Sequence, residues 1–270
     1  MDPIERDDAA SVVLEQEVRA WLDRNGYRLE MKVAQSLIPL SHTVEQGGQY
    51  VDAATKQVRE FDVRASWSLI GVESGLHFFS VVAECKNTRA PWVVFSGGID
   101  WTWDTFLPVD GIDSSCPTCV DVGEGVVAEA VRNIDQWGYA VTEKRNPDKG
   151  SSNDHAREAV LSAASAAYSM VETFRQMPMP WRANEPGPKY HNYTQAVPVV
   201  VTTSPLFACS LDERGEVLLR EIEIARVAAR PYPRLGQVPV VIARPEAFNT
   251  FMAAFMVAAR AAAGADWDRN

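Results

Sequence analysis

Apolar residues recur at helical spacing along SVVLEQEVRAWLDRN (11–25), where Leu14, Val18, Trp21, Leu22 and Asn25 form a stripe and Gly26 supplies a stop. This predicts an amphipathic first helix. KVAQSLIPL (32–40) reads as a strand, and a polar, turn-rich stretch, HTVEQGGQYVDAATKQ, follows it. FDVRASWSLI (61–70) alternates and reads as a second strand; LHFFSVVAECK (76–86) makes a third, joined to it by a Glu73-Ser74-Gly75 turn. Between 97 and 150 the texture changes. GGIDWTWDTFLPVDGIDSSCPTC is rich in turn formers and Trp, the helix-like GEGVVAEAVRNIDQWGYAVTEK follows, and the stretch reads as an insertion. HAREAVLSAASAAYSMVETFRQM (155–177) is a helix and AVPVVVTTS (196–204) a buried strand. A strand pair around SLDERGEVLLREIEIARV, a strand VPVVIA and an Ala-rich closing helix complete the chain.

Period-two alternation turns these strands into geometry. Glu84 and Lys86 share a face with Ser80 and Val82, while Cys85 turns to the other with Ala83 and Val81. On the preceding strand Asp62 shares a face with Arg64, Ser66 and Ser68, so a hairpin sets Asp62 beside Glu84 and Lys86. Two neighbouring carboxylates raise each other's pKa unless a cation lies between them. Such hard oxygen ligands suit Mg²⁺, and an adjacent lysine can orient the water that attacks phosphorus. A Glu-x-Lys triplet arises by chance about once in a chain of this size, so a cross-strand surface salt bridge is the competing reading. Glu30-Met31-Lys32 is a second copy, with no Asp-bearing strand before it, and reads as a solvated strand entry.

The order helix with Glu, strand, REFDVRA, VVAECKN resembles the PD-(D/E)xK nuclease superfamily in its restriction-endonuclease-like, Mrr-like form. The resemblance implies an α/β fold with an αβββαβ core and mixed central sheet, here carrying an insertion (97–150) and extra C-terminal strands and a helix in a single nuclease domain over 1–270. It implies a Mg²⁺-dependent DNA endonuclease (Mn²⁺ substituting) in bacterial restriction or defence against foreign DNA. Asp62, Glu84 and the Cys85 backbone carbonyl would hold the metal, with Lys86 on the attacking water and Glu15 joining from the first helix. Glu17 is the alternative to Glu15; Asp52 and Glu60 are rivals to Asp62, and Phe61 stands where the motif has Pro. DNA is the implied partner and a homodimer or larger assembly the implied state. The alternatives are a repair, branched-DNA or RNA nuclease, or an inactive nuclease fold serving as a binding or assembly module.

Composition changes this picture little. With 46% hydrophobic and 23% charged residues among 270, the chain is that of a globular protein. The net charge of −10 lowers the expectation of nucleic-acid binding without removing it, since basic residues can be grouped near a site. No segment approaches the roughly 18–20 apolar residues of a membrane span, and the acidic start MDPIERDDAASVV is unlike a leader, which predicts a cytoplasmic protein. Four cysteines suit reduced thiols, and a single Cys116-Pro117-Thr118-Cys119 is a weak zinc or redox signal. His42, His77, His155 and His191 fall in no catalytic motif. Trp101, Trp103, Phe106 and Trp137 could stack on bases or form a small core. Tyr168 and Arg89 are candidate substrate contacts, as are Lys56, Arg59 and Arg64, with solvated charge as the alternative for the basic residues.

Overall fold

Leu29, Val33 and Leu37 are spaced four residues apart, and that spacing produces the first departure from the sequence reading. In the computed structural model, which describes residues 3–71, 75–97, 109–112, 131, 133–144, 154–176, 192–232 and 237–263, much of the segment read as a strand over 32–40 is helix. Helix α1 (Pro3–Arg24) ends at Gly26, whose φ of 83° turns the chain into helix α2 (Tyr27–Leu37). Leu29, Val33, Ala34 and Leu37 are the buried face of α2. The stripe of α1 stays largely outside: Leu14 is 60% exposed and Trp21 48%. The amphipathic helix that packs on the sheet is therefore α2.

The polar stretch after it is also a strand. β1 (Thr43–Val51) is an outer strand with only Gly48 and Tyr50 buried, which is why its composition reads as turn. β1 pairs antiparallel with β2 (Val58–Gly71), and β2 with β3 (Gly75–Lys86). β4 (Trp92–Phe95), β5 (Val109–Ile112), β6 (Trp137–Gly138) and β7 (Ala140–Glu143) precede helix α3 (His155–Gln176). Beyond α3 come β8 (Asn192–Thr202), β9 (Leu206–Leu211), β10 (Val217–Ile222), β11 (Ile224–Ala229), β12 (Val238–Ala243) and helix α4 (Pro245–Ala263). Among the described residues the architecture is mixed α/β with four helices. One sheet runs β1-β2-β3-β8-β12-β11-β6 with β5 also on β8, and a second runs β10-β9-β4-β7. β3, β8 and β12 are mutually parallel at the centre, and β1, β2 and β11 make the first sheet mixed.

Within 97–150, the described residues include strands of both sheets: β5 pairs with β8, β6 with β11 and β7 with β4. The helical reading of GEGVVAEAVRNIDQWGYAVTEK gives way to strand at 137–138 and 140–143. Trp101, Trp103, Phe106, Cys116, Cys119 and His191 lie outside the described residues.

Two apolar cores flank the first sheet. Its α2/α4 side buries Val63, Ala65, Trp67, Val81, Ala83 and Cys85; its α3 side buries Val82, Ala196 and Val200 against the alanine-rich face of α3. Phe61 belongs to the second core although Val63, two residues on, belongs to the first. A flat strand would keep them on one side. The ribbon turns at Gly47, which has φ 64°, and a Cβ on Gly48 would strike the Phe61 ring.

Candidate active site

The turn at Gly47 lies beside Asp62. Pairing between β2 and β3 runs regularly from Gly71↔Gly75 to Val63↔Ala83 and ends there. One step further, Asp62 faces Glu84, and the Cys85 backbone N–H donates to Asp62 Oδ2 at 2.6 Å. A side-chain oxygen thus takes a ladder donor at the fork where β2 leaves β3.

Glu84 is held at both oxygens: Oε1 meets Lys86 Nζ at 2.6 Å, and Oε2 accepts from the Ser162 hydroxyl of α3 at 3.1 Å. Burial and the neighbouring Glu84, with a smaller contribution from Glu30, push the Asp62 carboxyl up to about 7, against the hydrogen bond from Cys85. Burial would depress Lys86, but the charge and hydrogen bond of Glu84, together with Asp62 and Cys85, outweigh it, and the ammonium holds its proton above the usual lysine range. Cys85 lies in the first core, where burial raises its thiol well above the ordinary value. It is an inert thiol whose backbone serves the fork.

Asp62, Glu84 and Lys86 are thus brought together, and Glu30 joins them. Burial first, then the Glu84 charge, raise the Glu30 carboxyl, with Lys86 and a hydrogen bond from Gln46 opposing. Glu30 stands on α2 beside buried Leu29, so the helix that lies on the sheet brings it in; the four-residue spacing of Leu29, Val33 and Leu37 was the signal in the sequence. Glu15 is elsewhere: it is exposed on α1 and paired with Arg19 at 2.5 Å. Glu17 is likewise exposed on α1.

The other candidates have separate surroundings. Asp52 is buried and its Oδ1 accepts the backbone N–H of Ala54 and Thr55, locking the β1–β2 connection, while Oδ2 meets Arg59 at 3.4 Å and the Tyr232 hydroxyl at 3.3 Å. Those hydrogen bonds hold its carboxyl below the ordinary value despite burial. Tyr168 packs edge-on to Tyr232, ring centroids 5.3 Å apart. Arg64 pairs with Glu45 at 2.5 Å. Glu60 and Arg89 are exposed, Arg89 between β3 and β4.

No three His, Cys, Asp or Glu side chains among the described residues form a metal cluster by themselves. Mg²⁺ needs less: one or two carboxylates, completed by waters and substrate oxygens. A half-buried carboxyl raised to about 7 beside a second carboxylate is a surplus of negative charge, and the hard oxygens of Asp62 and Glu84 fit a divalent cation. Comparison of the chain with protein-family models, with curated proteins and with solved structures finds no match.

Proposed function

We propose that the protein is a Mg²⁺-dependent nuclease that hydrolyses phosphodiester bonds, with DNA as substrate and bacterial restriction or defence as its setting. The observation that carries the reading is the convergence of Asp62, Glu84 and Lys86 at the fork between β2 and β3, with Glu30 beside them. Further support comes from the element order: three antiparallel strands and then, beyond the intervening β4–β7, a helix and a strand parallel to the third, in line with the αβββαβ core that the family resemblance implies once an insertion is allowed.

Asp62, Glu84 and the Cys85 carbonyl would hold the metal. When bound, Mg²⁺ supplies a Lewis acid for the phosphoryl oxygen. Lys86, protonated at neutral pH, positions the attacking water and offers fixed positive charge to the transition state. Ser162 and Lys86 fix the Glu84 carboxylate, and Glu30 takes the part of the helix acid, orienting a ligand water. The apolar floor of Cys85, Ala83 and Val81 keeps water from the inner side of the fork.

Incubation with supercoiled plasmid, linear duplex, single-stranded DNA and RNA, with Mg²⁺ or Mn²⁺ and with EDTA, tests the reading. Chelator-sensitive cleavage of DNA is the expected result; no cleavage of any substrate with either metal overturns it, and cleavage of RNA alone replaces DNA as the substrate.

A further inference from the structure

Three basic side chains of this acidic protein gather around a cavity of about 440 Å³ next to the candidate site. Arg28 and Lys32, one turn apart on α2, line one wall and Arg244, between β12 and α4, another. Asn87 and Thr203, the residues that follow β3 and β8, also line it. The cavity therefore lies at the carboxyl ends of three parallel strands, where open α/β sheets take their ligands. It adjoins the carboxylate cluster through the chain itself: Asn87 follows Lys86, and the lining residue Leu29 precedes Glu30.

Both of its arginines are paired. Asp23 meets Arg28 at 3.2 Å, Glu223 and Glu221 meet Arg244 at 3.0 and 3.6 Å, and Glu246 also lines the cavity. Lys32 has no hydrogen bond or ion pair among the described residues. The amino end of the 19-residue helix α4 opens at the same place and adds partial positive charge. Lys32, this helix end and the second amide N–H of Asn87, whose first is given to the Asp23 carbonyl, make a set of donors for an oxyanion, while the Thr203 hydroxyl donates to Asn87 Oδ1.

We propose that this cavity binds a backbone phosphate of the nucleic-acid substrate beside the phosphodiester that is hydrolysed, an inference that rests on the nuclease reading. Each strand of a duplex carries a phosphate about every 3.4 Å of helix axis, so a strand held at Asp62 and Glu84 carries neighbours into reach of Lys32 and Arg28. The contact is to the backbone and is independent of base sequence.

Fluorescence anisotropy with a labelled oligonucleotide in EDTA, across a salt series, tests this on the parent, Lys32→Ala, Arg28→Ala and Lys32→Arg. Lys32→Ala should weaken binding severalfold at low salt and reduce the slope of log K against log salt by about one, with Lys32→Arg restoring both. Parental affinity and slope in Lys32→Ala and Arg28→Ala, while the parent binds and cleaves, overturn the inference alone. A parent that binds no oligonucleotide overturns both readings. If the parent binds but does not cleave with Mg²⁺, the nuclease reading falls, and Lys32→Ala still decides whether the cavity holds the backbone. Calorimetric binding of inorganic phosphate that Lys32→Ala abolishes, with oligonucleotide affinity unchanged, assigns the cavity to free phosphate and overturns the proposal.

Discussion

Asp62 is the residue whose environment makes the sharpest demand. Its folded carboxyl titrates near 7, well above the ordinary value of about 3.9 in an unfolded chain. Between those values the folded protein holds a proton that the unfolded chain has released, so Asp62 lowers stability progressively as pH rises through the window, by at most a few kcal/mol. Asp62→Asn removes that titration. Without divalent metal the variant should gain melting temperature relative to the parent on going from pH 4.5 to pH 8; an equal difference at both pH values would contradict the assignment. Mg²⁺ should raise the melting temperature of the parent at pH 8 by more than that of Asp62→Asn, because the variant keeps only one of the two anionic ligands. Glu30 and Glu15 offer a second comparison. Glu30→Gln should lower cleavage at least about tenfold, as loss of an outer ligand does, and Glu15→Gln should cleave at the parental rate. Equal losses would restore Glu15 to the site.

At the scale of elements, the parts that were legible are those whose side chains obey one period. The alternation of β2 and β3 placed Asp62, Glu84 and Lys86 on one side and Cys85 in the core, and α3 was plain from its alanine-rich face. Besides β6 and β7, which read as helix, α2 and β1 were misread, each for a physical reason. α2 is short, and Ile38 and Leu40 just beyond it make the stretch look continuously apolar, hiding the Leu29-Val33-Leu37 stripe and with it Glu30. β1 buries so little that polar composition outweighed its pairing with β2. The turn of the ribbon at Gly47 could not be read, because it depends on Phe61 crossing to the α3 side over Gly48. Both points can be tested by stability. Leu37→Ala should cost roughly 2–5 kcal/mol, the usual range for a buried leucine, as measured by denaturant unfolding. Gly47→Val should cost about 1–2 kcal/mol for its left-handed backbone and should also disturb Asp62 across the ribbon. Parental stability and parental Mg²⁺ binding in Gly47→Val would show that the turn does not set the site.

Over the whole molecule, the Asp62–Glu84–Lys86 cluster lies between the two cores, beside elements from both: Ser162 from α3 on one side, Glu30 from α2 on the other. A net charge of −10 means that association with nucleic acid depends on local grouping of cations, and it should weaken steeply with salt. No helix among the described residues is long and apolar enough to cross a membrane. With one such carboxylate cluster among the described residues, the proposed nuclease is expected to act as a pair of chains when it cuts both strands of a duplex in one event. Light scattering should therefore show twice the chain mass under conditions where plasmid is linearised directly, whereas a monomer that linearises without a nicked intermediate would count against pairing.

In the proposed mechanism Glu84 serves as a ligand and Lys86 as a cation for the attacking water. Calorimetric Mg²⁺ titration and plasmid cleavage, run side by side on the parent, Glu84→Ala and Lys86→Ala, test it most directly. Glu84→Ala should lose both binding and cleavage. Lys86→Ala should keep or tighten Mg²⁺ binding, because a neighbouring positive charge is gone, and lose cleavage by at least about a hundredfold. Cleavage at the parental rate by Lys86→Ala would make the pair at 2.6 Å a structural salt bridge and contradict the account.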